Sequence, residues 1–132
     1  SGDIENMVGA AKNFDDFCVL AGADDLFLNL LEQGGGGCIT ACANITCSLS
    51  AEVFRGFNAG EDVSEANRKL VKIRQVLSGF KLPSGLKALT ARNTNNKSWK
   101  VVVRPPLEVT EGLGAEEIFR AFDSVGYKMP SA

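Results

Sequence analysis

Two short apolar runs, FCVLA at 17–21 and GCITAC at 37–42, predict an α/β fold built on parallel strands. A strand buried on both faces reads as an unbroken apolar run, and helices cover both faces only where strands run parallel. Each run is followed by helix-type periodicity. The order over residues 1–60 is therefore α-β-α-β-α with short connections, as in βα-repeat folds.

Asp3 stands where a cap belongs, ahead of Ile4, Met7, Val8 and Ala11, which fall on one stripe of a helix ending near Lys12. After the first strand, Gly22-Ala23-Asp24-Asp25 predicts a tight turn with capping carboxylates. LFLNLLEQ predicts a helix that turns Leu26, Phe27, Leu30 and Leu31 inward and stops at Gly34. After the second strand, ANITCS predicts a loop with Ser48 or Ser50 as the next cap. Leu49, Val53, Phe54 and Phe57 then make a stripe that stops at Gly60.

From residue 61 the pattern is helical. VSEANRKLVKIRQVLSGF places Ala66, Leu70, Ile73, Leu77 and Phe80 on one side. Pro83 suits the first turn of a further helix, Ser84 to about Asn93. NTNNKS predicts a turn cluster, and VVVRPPL an extended segment held by Pro105 and Pro106. Ala115, Ile118, Phe119, Phe122 and Val125 line a last helix ending at Gly126. Residues 1–60 are thus expected as one region and 61–132 as a helical one.

Composition narrows the function. The 132 residues carry a formal charge of −2 with no Lys/Arg block, so no nucleic acid is expected as a partner. No apolar run reaches the roughly 18 residues that span a bilayer, and no signal-peptide pattern is visible. No membrane partner is therefore expected. Histidine is absent, which removes Ser-His and Cys-His nucleophile pairs within the chain. Cys18, Cys38, Cys42 and Cys47 do not follow a zinc spacing. They are expected as buried or half-buried free thiols, Cys18 and Cys38 above all, in a reducing cytoplasmic compartment. No metal is predicted.

The glycine run Gly34–Gly37 joins a helix end to a strand start. Phosphate-cradling loops have the reverse order, following a strand and opening a helix. The run therefore predicts helix termination and close backbone passage. In parallel βα arrays, ligands meet the C-terminal ends of the strands. That face receives Gly22, Ala23, Asp24 and Asp25 after the first strand, and Thr40 to Asn44 after the second. Gly22 permits close approach of a ligand, Asp24 and Asp25 accept hydrogen bonds, Thr40 offers a hydroxyl, and Ile39 a carbonyl. A cap or a turn explains Asp24 and Asn44 equally well.

Two parallel strands leave both sheet edges open. The chain, which begins at Ser1, is therefore expected to be the latter part of a longer protein or to take strands from another chain.

Ser1-Gly2-Asp3 before a helix, VLAGADD at 19–25, GGGGCIT at 34–40, Ala43-Asn44, LP-x3-K at 82–87 and RPPL at 104–107 form an ordered set. Together they resemble the C-terminal half of the dihydrodipicolinate synthase/N-acetylneuraminate lyase family, across essentially the whole chain. The resemblance implies the last two βα units of a (β/α)8 TIM barrel, followed by a C-terminal helical extension. It implies an aldol-type lyase or synthase in which a lysine forms a Schiff base with pyruvate or another 2-oxo acid, with no cofactor. That lysine, a proton-shuttling tyrosine and the carboxylate-binding loop belong upstream of Ser1. This chain alone is thus expected to hold no catalytic residue and to be inactive, supplying a substrate-binding wall of Gly22, Asp24, Asp25, Ile39 and Thr40. Ala23 departs from the bulkier or acidic residues common in the family, which leaves the substrate class open. The expected partners are the 2-oxo acid and a missing half-barrel or further copies of the chain. A non-catalytic half-barrel module and a small α/β ligand-binding domain stand as alternatives.

Overall fold

The computed structural model of the chain describes residues 2–96, 99, 101–110 and 113–130. The chain divides into two compact units, residues 1–71 and 72–132.

The first unit contains helix α1 (Ile4–Asn13), strand β1 (Leu20–Ala21), a 3-10 turn (Asp24–Leu26), helix α2 (Phe27–Glu32), strand β2 (Gly37–Cys38) and helix α3 (Ala43–Ala59). Helix α4 (Ser64–Ser78) begins in it. Asp3 caps α1 as expected, its carboxylate accepting from the Asn6 amide at 3.1 Å. The strands pair in parallel, Leu20 beside Gly37 and Ala21 beside Cys38. The ladder is flanked by bonds from Gly36 N to the Val19 carbonyl and from Ile39 N to the Ala21 carbonyl, both 2.9 Å. Helix α2 packs on both strands, with α1 and α3 against it.

The strands are shorter than the apolar runs, and one face lies open. Val19 and Ala21 are buried, whereas Leu20 is 39% exposed and Ile39 74%. Burial alternates as it does in a strand covered on one side only, so the expectation of burial on both faces is corrected. Cys18, on the uncovered face, is exposed rather than buried; Cys47 is exposed too.

Helix α3 begins at Ala43, not after the expected loop. The Thr40 hydroxyl accepts from the Ala43 amide at 3.1 Å, which satisfies one of the free N–H groups of the first turn. Only residues 39–42 therefore connect β2 to the helix, and Ser48 and Ser50 lie inside it. Leu49 and Val53 are buried as expected, Phe57 is half-buried and Phe54 is exposed. Gly60 ends the helix in the left-handed conformation. At the other loop the cap position is taken by Ala23; Asp24 opens the 3-10 turn itself. Phe27, Leu30 and Leu31 are buried, and Leu26 is half-buried.

The glycine run does what its order predicts. Gly34 takes φ 94° and Gly35 N reaches back to the Leu30 carbonyl at 2.8 Å, closing α2. A Cβ on Gly35 would stand 2.4 Å from Leu30 Cγ.

The second unit takes up the rest of α4, then α5 (Leu82–Thr94) and α6 (Leu113–Asp123). Ala66, Leu70, Ile73 and Leu77 of α4 are all buried, and Phe80 is half-buried beyond its end. Pro83 sits in the first turn of α5, as expected. Helix α5 packs on α6, where Ile118 lies against Gly85; a Cβ there would be 2.4 Å from Ile118 Cδ1. Arg92 grips Asp123 with two bonds, at 2.9 and 2.7 Å, and lies 4.5 Å from the centre of the Phe119 ring. Those bonds hold the Asp123 carboxyl below its ordinary range. VVVRPPL is not extended throughout, as Pro105 and Pro106 form a turn. The Leu107 amide closes a turn onto the Arg104 carbonyl at 3.0 Å, a setting prolines suit as well as extension. In the NTNNKS cluster Asn95 takes the left-handed conformation; Lys97 and Ser98 lie outside the described residues. Among the described residues, no helix is long and apolar enough to cross a membrane.

Gly35→Ala is expected to destabilise the chain by about 1–3 kcal/mol, the usual cost of forcing atoms into a packed site. Gly2→Ala, whose Cβ would meet nothing within 4 Å, is the control. Urea unfolding midpoints compare the two.

Candidate functional site

The site grows from the parallel register. Carried one residue beyond Ala21 and Cys38, it sets Gly22 beside Ile39 at the C-terminal ends of the two strands. The Ile39 amide is tied to the Ala21 carbonyl, and both Gly22 and Ile39 are exposed. Two main chains and the Ile39 side chain thus form an open rim. Asp25, in the turn after β1, is also exposed.

Asp24 and Thr40 behave differently. Asp24 is 1% exposed and Thr40 9%. The Thr40 hydroxyl donates to Asp24 Oδ1 at 2.9 Å, while it accepts from the Ala43 amide at 3.1 Å. One hydroxyl therefore joins the loop after β1, the end of β2 and the first turn of α3. The N-terminus of α3 carries partial positive charge. The carboxylate next to it, one hydroxyl away, is the chain's own.

Of the five residues singled out in the sequence, the structure brings together Asp24 with Thr40, and Gly22 with Ile39. Asp25 stands apart from the buried pair. Asn44 lies in the first turn of α3 and donates to the Ala41 carbonyl at 2.9 Å, a local role. Sequence reasoning missed Cys38. Burial pushes its thiol up from the ordinary range, and the negative charge of Asp24 pushes it further. The available signal was spacing: Cys38 and Thr40 are two residues apart, the strand period that turns side chains to one side. Thr46 was missed as well; it is buried in α3 and donates to the Cys42 carbonyl at 2.9 Å.

A family model, the dihydrodipicolinate synthetase family, matches residues 1–119. The chain belongs to this family. An uncharacterized DapA-like lyase of Thermococcus kodakarensis is 38% identical over 109 residues, which is 80% of this chain and 36% of that protein. One of Pyrococcus horikoshii is 35% identical over 126 residues, 92% of this chain and 42% of that protein. The chain thus spans about two-fifths of the length of these relatives. Among solved structures, the 4-hydroxy-tetrahydrodipicolinate synthase of Methylacidiphilum fumariolicum superposes with a TM-score of 0.79 at 17% identity, over 96% of this chain and 42% of that one. A monomeric dihydrodipicolinate synthase variant gives 0.78 at 22% identity, over 96% and 43%. At these identities the likeness concerns the fold: the chain carries part of the fold of the dihydrodipicolinate synthases, which are TIM-barrel proteins.

Asp24→Asn is expected to lower the midpoint for Cys38 alkylation, because a nearby negative charge is removed. It should not lower it to that of an ordinary thiol, because burial, the larger cause, remains. Iodoacetamide labelling across pH, read peptide by peptide by mass spectrometry, separates Cys38 from the exposed Cys18 and Cys47.

Proposed function

We propose that the chain is the C-terminal part of a Schiff-base-forming lyase or synthase, acting on pyruvate or another 2-oxo acid. In this reading residues 1–60 are the last two βα units of the barrel and residues 61–132 its helical extension. The observation that carries it is the open rim: Gly22 and Ile39 side by side at the strand ends of a family member whose sheet face is bare. Leu20 and Ile39 present apolar surface where a closed barrel would have neighbours. A groove of about 310 Å³ lined by Leu20, Phe27, Cys38 and Phe54 borders the buried Ser50 hydroxyl, which has no hydrogen-bond partner among the described residues. Both features suit a surface that further strands cover.

The chemistry then lies upstream. A lysine amine adds to the 2-oxo carbonyl and water leaves. Protonated, the imine takes up the electron pair of a C–C bond that breaks and becomes an enamine. In the forming direction the enamine returns that pair to the new bond, without metal or cofactor. The present chain contributes the wall of Gly22, Asp24, Asp25, Ile39 and Thr40. Its own described lysines fall elsewhere. Lys12 is in α1, Lys69 and Lys72 in α4, Lys87 in α5, and Lys81 and Lys128 flank helices. None of these six ends a strand, where desolvation would make an amine nucleophilic. None of the four cysteines is in a disulfide, which fits a reducing, cytoplasmic compartment.

The bare face also favours a second reading, in which the chain closes its sheet with a partner half-barrel or with copies of itself and performs no chemistry. Borohydride reduction with pyruvate tests the first reading. The mass of this chain is expected to stay unchanged, with the adduct on a lysine outside it. An adduct on any of its own lysines overturns the proposal, and no adduct anywhere in the assembled protein favours the second reading.

A further inference from the structure

Five residues stand at the candidate wall, and they divide by exposure into two groups with different work. Gly22, Asp25 and Ile39 face solvent; Asp24 and Thr40 face one another in the interior. We infer that Asp24 and Thr40 are positioning residues, which fix the main chains of Gly22 and Ile39 from behind and do not themselves bind substrate. The inference rests on the wall reading above and divides the wall's labour.

Three observations carry it. First, Asp24 at 1% and Thr40 at 9% exposure offer almost no surface to a ligand. Second, the hydroxyl of Thr40 is engaged on both sides, donating to Asp24 and accepting from Ala43 N. Its single proton is committed to Asp24, so a substrate acceptor could take it only by displacing that bond, leaving a buried carboxylate oxygen without its donor. Third, each member of the pair lies next to a rim residue in the chain. Thr40 follows Ile39 directly, and Asp24 follows Gly22 after one residue. The Asp24–Thr40 bond therefore links the two loops across the strand ends, just beyond the last backbone bond of the ladder, from Ile39 N to the Ala21 carbonyl. The backbone pairing sets the spacing up to Ile39, and the side-chain bond extends it into the loops. The bond to Ala43 N joins the same point to the 17-residue helix α3, a stiff support.

The test uses the 132-residue chain and amide hydrogen exchange by NMR, with Thr40→Val and Thr40→Ser as the pair. Valine keeps the shape and loses the hydroxyl; serine keeps the hydroxyl. Thr40→Val is expected to speed exchange at Ala43 by about tenfold, the scale of one lost hydrogen bond. It should also displace the Gly22 and Ile39 amide signals, while Thr40→Ser returns both to wild type. Asp24→Asn, whose amide oxygen still accepts from Thr40, is expected to leave Ala43 exchange within about threefold of wild type. An Ala43 amide unprotected in the wild type overturns the inference. So does a Thr40→Val variant with unchanged Ala43, Gly22 and Ile39, or a Thr40→Ser variant that fails to restore them. A shift of the Asp24 carboxyl carbon on adding sodium pyruvate, with none at Gly22 or Ile39, overturns it as well. Failure of the lyase reading shows separately in the borohydride experiment, which does not depend on this bond.

Discussion

The Thr40 hydroxyl is where the local structure of the first unit converges. It lies one residue beyond the strand ladder, gives its proton to a buried carboxylate and receives the first-turn amide of α3. Were it absent, the Asp24 carboxylate would lose a buried donor and the helix a capping acceptor together. The first loss falls on a carboxylate that is 1% exposed, where an unmet bond is costly. The same hydroxyl sits in the short connection, residues 39–42, through which the chain passes from β2 into α3.

Around that point the physics of an incomplete sheet takes over. Helix α2 covers one face of the ribbon and hides Val19 and Ala21. The other face shows Leu20 and Ile39. Two strands provide too few neighbours for both faces to be dry, whatever their sequence. Membership of the dihydrodipicolinate synthetase family gives this bareness a natural context, since these enzymes close their strands into a barrel. In the second unit, the α5–α6 contact is sealed by Ile118 against Gly85 and by Arg92 on Asp123 and Phe119.

Helix periodicity made the outer elements legible. The stripe of Ala66, Leu70, Ile73 and Leu77 is buried as written, Pro83 opens α5, and Gly34 and Gly60 end their helices. These features depend on residues within one or two turns of one another, so the sequence carries them whole. The strands were legible in position and direction but not in length or burial. An apolar run looks the same whether a neighbour covers it or not. The start of α3 was missed because Ser48 and Ser50 are better caps by type than a threonine farther upstream, and only the bond to Ala43 reveals the one in use.

The sequence by itself therefore determined the order of elements, the glycine stops of α2 and α3, the role of the glycine run, and which two loops share the strand-end face. Each of these follows from chain-local rules: periodicity, left-handed glycines, and the polarity of a strand. The last helix, expected to reach Gly126, ends at Asp123. Only the tertiary structure decided which wall residues look outward and which look at each other. That Asp24 is buried against Thr40 while Asp25 reaches solvent depends on how two loops separated by 16 residues meet across a parallel register, and adjacent aspartates are indistinguishable until that register is known.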